Sequence, residues 1–172
     1  LEQFGSDTQI LAGGCDLITS MRCRRNNSNH LINLSQVEEL KFIHSTEQAL
    51  HIGAMATMDE VEKVTGLQEN YRALYEGLKS IAQVQVKTTG TLVGNLCVAT
   101  PASDIAPPLM SLGAKIKICS RQNTRLLSLE NFYTGLRQTC LKKNEFVSEI
   151  IIPTPKKNSK STFLTLLRTA AD

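Results

Sequence analysis

The chain has 172 residues, of which 41% are hydrophobic and 20% are charged, as in ordinary folded domains, so disordered and fibrous classes are excluded. No apolar run approaches the roughly 20 residues that cross a bilayer, and the N-terminus lacks a signal-peptide pattern, which predicts a cytoplasmic protein without a membrane span. The formal net charge of +3 is spread out and only 5% of residues are aromatic, which disfavours nucleic acid as a partner.

Short strands are predicted at the beginning of the chain. Residues 8–12 and 31–34 are short apolar runs, and a pair of glycines ends the first of them. Apolar runs at residues 42–44 and 50–54 flank a polar turn, and this pattern is typical of a β-hairpin.

Two helices are predicted next. Thr57 and Glu60 have the spacing of a capping box, in which the hydroxyl and the carboxylate each accept from a backbone N–H group. A helix is therefore expected to begin at Met58 and to end at Gly66. Residues 71–82 place leucine and isoleucine at three- and four-residue spacing, which predicts an amphipathic helix with one buried face.

The second half of the chain changes character. Residues 88–113 contain glycines, threonines and prolines without a consistent period, which predicts an irregular segment of the kind that is usually functional. Beyond it, residues 114–119, 126–129 and 145–152 are rich in β-branched residues and are separated by polar turns. This pattern predicts an antiparallel meander.

The sequence predicts neither a metal site nor a catalytic residue. The five cysteines are scattered and form no Cys-x-x-Cys or Cys/His spacing that would close a zinc or iron–sulfur site. The three histidines lie in or beside predicted strands without a nucleophile motif nearby.

Two glycine-containing segments are the candidate binding elements. Gly13 and Gly14 follow a strand, which allows close backbone approach and directs amide N–H groups at a phosphate; a simple turn is the alternative. The segment from residue 88 to 96 combines glycines with hydroxyl and amide side chains, and Asp104 adds a carboxylate, a set that suits a sugar or ribityl chain. The alternative there is a turn-rich loop in which Asp104 caps a following helix.

Together these segments resemble the FAD-binding subunit of the molybdenum hydroxylases, the family of xanthine dehydrogenase and of the carbon monoxide dehydrogenase medium subunit. The family's alanine-glycine-glycine-threonine-aspartate-leucine loop is matched by residues 12–17. Its threonine-x-glycine-glycine-asparagine run is matched by residues 91–95, and its alanine-serine-proline-x-x-aspartate run by residues 99–104. The resemblance covers essentially the whole chain.

The resemblance implies an α+β fold, with a small αβ lobe and a larger lobe of antiparallel strands flanked by helices. FAD would lie extended between the lobes. Residues 1–152 would form the FAD-binding domain, lacking a short N-terminal segment of the family. Residues 153–172 would form a linker and the start of a truncated C-terminal domain.

The resemblance also implies which residues bind the cofactor. The loop from residue 11 to 17 would hold the pyrophosphate, and the second segment would line the diphosphate and flavin. Asp104 would accept hydrogen bonds from ribityl hydroxyls. Val147 would lie near the isoalloxazine or the adenine ring. The implied set is Leu11, Ala12, Gly13, Gly14, Cys15, Asp16, Leu17, Thr91, Gly94, Asn95, Thr100, Asp104 and Val147.

The implied function is electron transfer within a complex. Flavin would take electrons from an iron–sulfur subunit and pass them to NAD, a quinone or oxygen, while a molybdopterin subunit performs the hydroxylation. Two positions in the glycine motifs depart from the family pattern: Cys15 replaces a threonine, and Val93 replaces a glycine and so puts a Cβ into the predicted turn. Outside these motifs, Thr165 stands where some relatives have a lysine. The two departures in the motifs favour the alternative function, a non-catalytic scaffold module that has lost FAD.

Overall fold

The computed structural model of the chain describes Leu1 and residues 7–166. Residues 167–172, which resemble the opening of the family's C-terminal domain, lie outside that part. No helix in the described part is long and apolar enough to span a membrane.

The small lobe is a β-α-β unit. Strand β1 (Thr8–Leu11) is followed by two glycines and helix α1 (Cys15–Arg22), and strand β2 (His30–Asn33) lies parallel to β1. Parallel neighbours require a crossover connection, which α1 and the loop after it provide. The two predicted strands are confirmed, and the N-terminus of α1 lies next to the carboxyl end of β1.

The larger lobe is built on an antiparallel sheet. The strands of this lobe are β3 (Ile43–Ser45), β4 (Ala49–Gly53), β5 (Lys115–Cys119), β6 (Thr124–Ser128), β7 (Tyr133–Gly135), β8 (Gln138–Thr139) and β9 (Phe146–Pro153). Strands β7 and β8 form a separate hairpin, and the other five form one sheet in the order β3-β4-β9-β5-β6. The expected fold class, a small αβ lobe beside a larger antiparallel lobe, is confirmed.

The predicted meander order is wrong. Strand β9 lies between β4 and β5, with Ile152 opposite Leu50 and Ile150 opposite Ile116. Strand β9 carries three consecutive isoleucines, and in the centre of the sheet it pairs along both edges and buries Ile150 and Ile152 completely. Apolar periodicity identified the strands, but it did not determine which strand lies next to which.

In the part of the chain that the structure describes, the larger lobe also contains six short helices. They are α2 (Met58–Glu62), α3 (Leu67–Asn70), α4 (Arg72–Ser80), α5 (Val84–Thr89), α6 (Leu92–Cys97) and α7 (Ala106–Ser111). The capping box at the start of α2 is present as predicted. The helix ends before Gly66. This glycine has a φ of 80° and is instead the N-cap of α3. The predicted amphipathic helix is α4, whose buried residues include Leu74 and Leu78.

The prediction of an irregular segment over residues 88–113 is wrong, because α6, α7 and the end of α5 lie within it. Each of these helices has six residues, too few to produce a visible apolar period. The helix predicted as the alternative does follow Asp104, but Asp104 does not cap it. The Ser103 hydroxyl accepts from the N–H groups of Ile105 and Ala106 at 3.3 and 3.2 Å.

One hydrophobic core connects the sheet to these helices, and it fixes the orientation of α6. Its fully buried members include Leu50, Ile52, Leu74, Leu78, Leu92, Leu96, Leu109, Ile116, Phe132, Ile150 and Ile152. Burial of one such side chain contributes about 1.5 to 3 kcal/mol. Helix α6 buries Leu92, Val93 and Leu96 in this core, while Gly94 and Asn95 lie outside it.

Candidate functional site

The first glycine turn joins β1 to α1. Gly14 is the N-cap of α1 and has a φ of 76°, in the left-handed region that favours glycine. Its carbonyl accepts from the N–H of Ile18 at 3.0 Å, which is the first bond of the helix. The preceding N–H groups at Cys15, Asp16 and Leu17 have no acceptor within the helix, because they belong to its first turn. The turn therefore presents several backbone donors and the positive end of a helix dipole.

The second glycine turn begins α6. The hydroxyl of Thr91 accepts from the N–H of Gly94 at 3.0 Å and so caps the helix. A Cβ at Gly94 would lie 2.7 Å from that hydroxyl oxygen, closer than real Cβ contacts. Thr91 is 2% exposed, and the N–H of Leu92 beside it donates to Ala56 at 3.1 Å. Capping of α6 by the Thr91 hydroxyl therefore requires a glycine at residue 94.

The two turns are in direct backbone contact. A Cβ at Gly13 would lie 2.2 Å from the carbonyl oxygen of Thr89 and 2.8 Å from the Cα of Gly90. A Cβ at Gly90 would lie 3.4 Å from the Sγ of Cys15. Only glycine at residue 13 permits this approach, and the contact brings the N-terminus of α1 next to that of α6.

A cleft of about 560 Å³ opens where the turns meet. It brings together most of the binding residues implied by the sequence motifs. The predicted residues that line the cleft are Ala12, Gly13, Gly14, Cys15, Asp16, Leu17, Thr91, Gly94 and Asn95.

Four of the predicted binding residues do not line this cleft. Leu11 ends β1, opposite Asn33 of β2. The hydroxyl of Thr100 accepts from the N–H of Ala102 at 3.3 Å within its own loop. Asp104 packs its backbone on α4, and Val147 is a 5% exposed member of the core.

The two departures from the family motif have different consequences. Val93 lies in α6 rather than in a turn and is buried in the core, so its side chain does not fill the cleft. The expectation that its Cβ sits in a turn is therefore wrong. Cys15 does line the cleft and is exposed there.

Arg137 is a cleft residue that the sequence motifs did not identify. Its guanidinium donates to both carboxylate oxygens of Asp16 at 3.3 Å, which connects the β7–β8 turn to α1. The backbone of Arg137 has a φ of 53°, and its N–H donates at 2.9 Å to the carbonyl of Ala99, whose φ is 51°. Left-handed conformations at non-glycine residues are uncommon and often mark functional positions. No local pattern could reveal this residue, because it reaches the cleft through the tertiary fold.

The wall of the cleft also contains the partly buried thiol of Cys97. Burial raises the pKa of Cys97 to about 12, so this side chain is a neutral part of the wall at physiological pH. Within the described residues, no group of three His, Cys, Asp or Glu side chains is placed to hold a metal ion. The cleft offers backbone N–H donors and two arginine side chains, Arg25 and Arg137, beside the carboxylate of Asp16, and N–H donors and arginines are what an anionic ligand requires.

Known proteins are similar to this chain in sequence and in fold. The model of the family described as FAD binding domain in molybdopterin dehydrogenase matches residues 1–155. The nicotinate dehydrogenase FAD-subunit of Eubacterium barkeri is 30% identical over 162 residues, which cover 92% of this chain and 55% of that protein. The caffeine dehydrogenase subunit beta of Pseudomonas sp. (strain CBB1) is 31% identical over 91% of this chain and 54% of its own length.

The structural comparison agrees with the sequence comparison. Carbon monoxide dehydrogenase from Hydrogenophaga pseudoflava aligns with a TM-score of 0.93 and 28% identity, over 99% of this chain and 60% of that chain. The chain thus spans a little more than half the length of the relatives it matches.

Proposed function

The chain belongs to the family of FAD-binding domains in molybdopterin dehydrogenases, and we propose that it binds FAD with the diphosphate in the cleft between the two glycine turns. The observation that carries this proposal is the backbone contact of Gly13 with Thr89 and Gly90. That contact places the N-terminus of α1 beside the glycine turn that precedes α6, and a helix N-terminus with glycine turns is a recurrent way to bind phosphate groups.

The residues present fit such a cofactor. A diphosphate is anionic and rich in acceptor oxygens, and the first turn of α1 offers N–H donors at the positive end of its dipole. The volume of about 560 Å³ lies within the range of small-molecule sites. Gly13 allows the two turns to approach each other, and Val93 lies in the core and does not enter the cleft.

Individual roles follow from position. The N–H groups from Ala12 to Leu17 would hold the diphosphate, and Gly94 and Asn95 line the same cleft. Arg137 would add a positive charge at the edge of the site. Leu11, Thr100, Asp104 and Val147 remain proposals for parts of the cofactor that extend beyond the cleft.

The chemistry proposed for the complex is electron transfer. Bound FAD would supply the redox chemistry, taking electrons from an iron–sulfur subunit and passing them to NAD, a quinone or oxygen, while a molybdopterin subunit carries out hydroxylation. This chain's own residues would hold and orient the flavin and exclude water from it. The names of the relatives support the assignment, since they describe an FAD-subunit and a subunit beta of dehydrogenases. A cytoplasmic location is part of the same proposal.

The structure weakens the case for the competing function, a scaffold that has lost FAD. That case depended on Val93 and Cys15, and Val93 is a core residue of α6. Cys15 replaces a side-chain hydroxyl, whereas the donors proposed for the diphosphate are backbone N–H groups, which every residue type except proline supplies.

Competition between nucleotides tests the proposed mode of binding. The chain is expected to quench the fluorescence of added FAD, and ADP is expected to displace the FAD because it carries the same diphosphate. Adenosine and riboflavin, which lack phosphate, should bind far more weakly. Equal competition by adenosine and ADP would refute a diphosphate site, and the absence of FAD binding would favour the scaffold function.

A further inference from the structure

Asn95 is held by a buried hydroxyl from the loop that precedes α7. Its Oδ1 lies 2.7 Å from the Oγ of Ser103, the residue that caps α7. Ser103 is 7% exposed, whereas Asn95 is half-buried and lines the cleft. The contact therefore joins a cleft residue to a fixed point in the interior.

The hydrogen bonds around Ser103 determine which end of the Asn95 amide faces it. The Oγ of Ser103 already accepts from the N–H groups of Ile105 and Ala106 at 3.3 and 3.2 Å. A hydroxyl has two acceptor positions and one proton. With both acceptor positions occupied, Ser103 donates its proton to Asn95, and only the carbonyl oxygen of the amide can accept it. A reversed amide would bring its NH₂ donors to an oxygen without a remaining acceptor position.

The consequence is that the NH₂ group of Asn95 is left for a partner other than Ser103. Among the residues that the structure describes, none accepts a hydrogen bond from Nδ2. A neutral amide in general can either donate or accept, but this one is restricted to donation at its remaining end.

We propose that Ser103 is a positioning residue that orients Asn95 as a hydrogen-bond donor to the bound cofactor. The NH₂ group of Asn95 would donate to a phosphate or carbonyl oxygen, and it could not accept a proton from a hydroxyl group of the cofactor. This inference rests on the proposed function and assigns a direction to one contact within it. Because the capping bonds of α7 hold Ser103 in place, the amide is oriented before the ligand arrives, which lowers the entropic cost of binding.

A double-mutant cycle on FAD affinity tests the role of Ser103. Ser103→Ala is expected to weaken FAD binding about fivefold to tenfold, the effect of one hydrogen bond. In an Asn95→Ala background the same substitution should change the affinity by less than about twofold, because Ser103 would act through Asn95. The matched control is Ser111→Ala, which removes a hydroxyl bonded to Pro108 in the same helix and should leave FAD affinity unchanged. Equal losses from Ser103→Ala in both backgrounds would overturn the proposal, since a purely structural role would persist without Asn95.

Asn95→Asp provides a second variant that keeps α7 capped. A carboxylate still accepts the proton of Ser103 but has no N–H group to offer the cofactor. It should weaken FAD binding at least as much as Ser103→Ala, with an unchanged melting temperature. Wild-type affinity in Asn95→Asp would refute the donor role.

The amide orientation can also be tested without flavin. In a ¹⁵N–¹H spectrum of the protein, the side-chain NH₂ signals of Asn95, identified by their loss in Asn95→Asp, should move in Ser103→Ala and stay fixed in Ser111→Ala. Unmoved signals would overturn the inference even if FAD binds. A wild-type chain that takes up no FAD refutes the proposed function instead, and this spectrum then decides the orientation of Asn95 separately.

Discussion

Replacing Gly13 by alanine should separate the two glycine turns. The added methyl would lie 2.2 Å from the Thr89 carbonyl oxygen, and real Cβ contacts are not shorter than 3.0 Å, so one turn must move by roughly 1 Å. Such overpacking costs about 1 to 3 kcal/mol, which corresponds to a fall in melting temperature of roughly 2 to 12 °C for a chain of this size. The same movement would lengthen the hydrogen bonds of one wall to a bound diphosphate. Losing two charge-assisted bonds of about 1.5 kcal/mol each weakens FAD binding about a hundredfold.

The assay is an FAD titration by fluorescence, together with thermal unfolding. Gly113→Ala is the matched control, because Gly113 has a φ of 68°, a Cβ there would meet nothing within 4 Å, and the residue is not part of the cleft. Its strained backbone should cost about 1 to 2 kcal/mol of stability without changing FAD affinity. Wild-type FAD affinity in Gly13→Ala, or an equal loss in both variants, would refute the reasoning.

Three further predictions concern the cleft and the end of the described chain. Thr91→Val removes the hydroxyl that caps α6 at Gly94 and should lower stability by about 1 kcal/mol in thermal unfolding; an unchanged melting temperature would contradict the cap. Arg137→Ala removes a positive charge from the cleft, so FAD affinity should fall, more at low salt than at high salt. The melting temperature should hardly change, because the exposed ion pair that is broken is worth at most about 1 kcal/mol. The N–H of Phe163, which donates to Glu76, is the main cause that lowers the pKa of that carboxyl to about 2. Because the folded pKa is below the usual 4.5, this stabilisation is present above pH 4.5 and is lost as the pH falls toward 2. The protection of the Phe163 N–H, measured as its exchange rate relative to that of an unstructured peptide at the same pH, should fall over that range in the wild type and should be low at every pH in Glu76→Ala; protection that stays constant as the pH falls would refute the contact.

Local patterns predicted the elements whose cause is local. The capping box of Thr57 and Glu60 depends on residues three apart, and α4 has enough turns to show its apolar face. The hairpin of β3 and β4 depends on one short polar turn. In each of these cases the residues that determine the structure are close together in the chain.

Long-range contacts determine the features that could not be predicted. The central position of β9 depends on pairing with β4, about 100 residues earlier in the chain. Helices α6 and α7 are too short for a period, and the N–H groups at their starts are bound by single hydroxyls, those of Thr91 and Ser103. The motifs did identify the two glycine turns, but their backbone contact, the pairing of Arg137 with Asp16 and the hold of Ser103 on Asn95 are visible only in the folded chain.

The visible absorption spectrum of the purified chain, recorded after addition of FAD and removal of free flavin by desalting, tests the central claim most directly. We expect the two flavin bands to remain with the protein, and to be lost in Gly13→Ala but not in Gly113→Ala. A colourless wild-type chain that stays colourless throughout the titration would contradict FAD binding and leave a scaffold of the same fold.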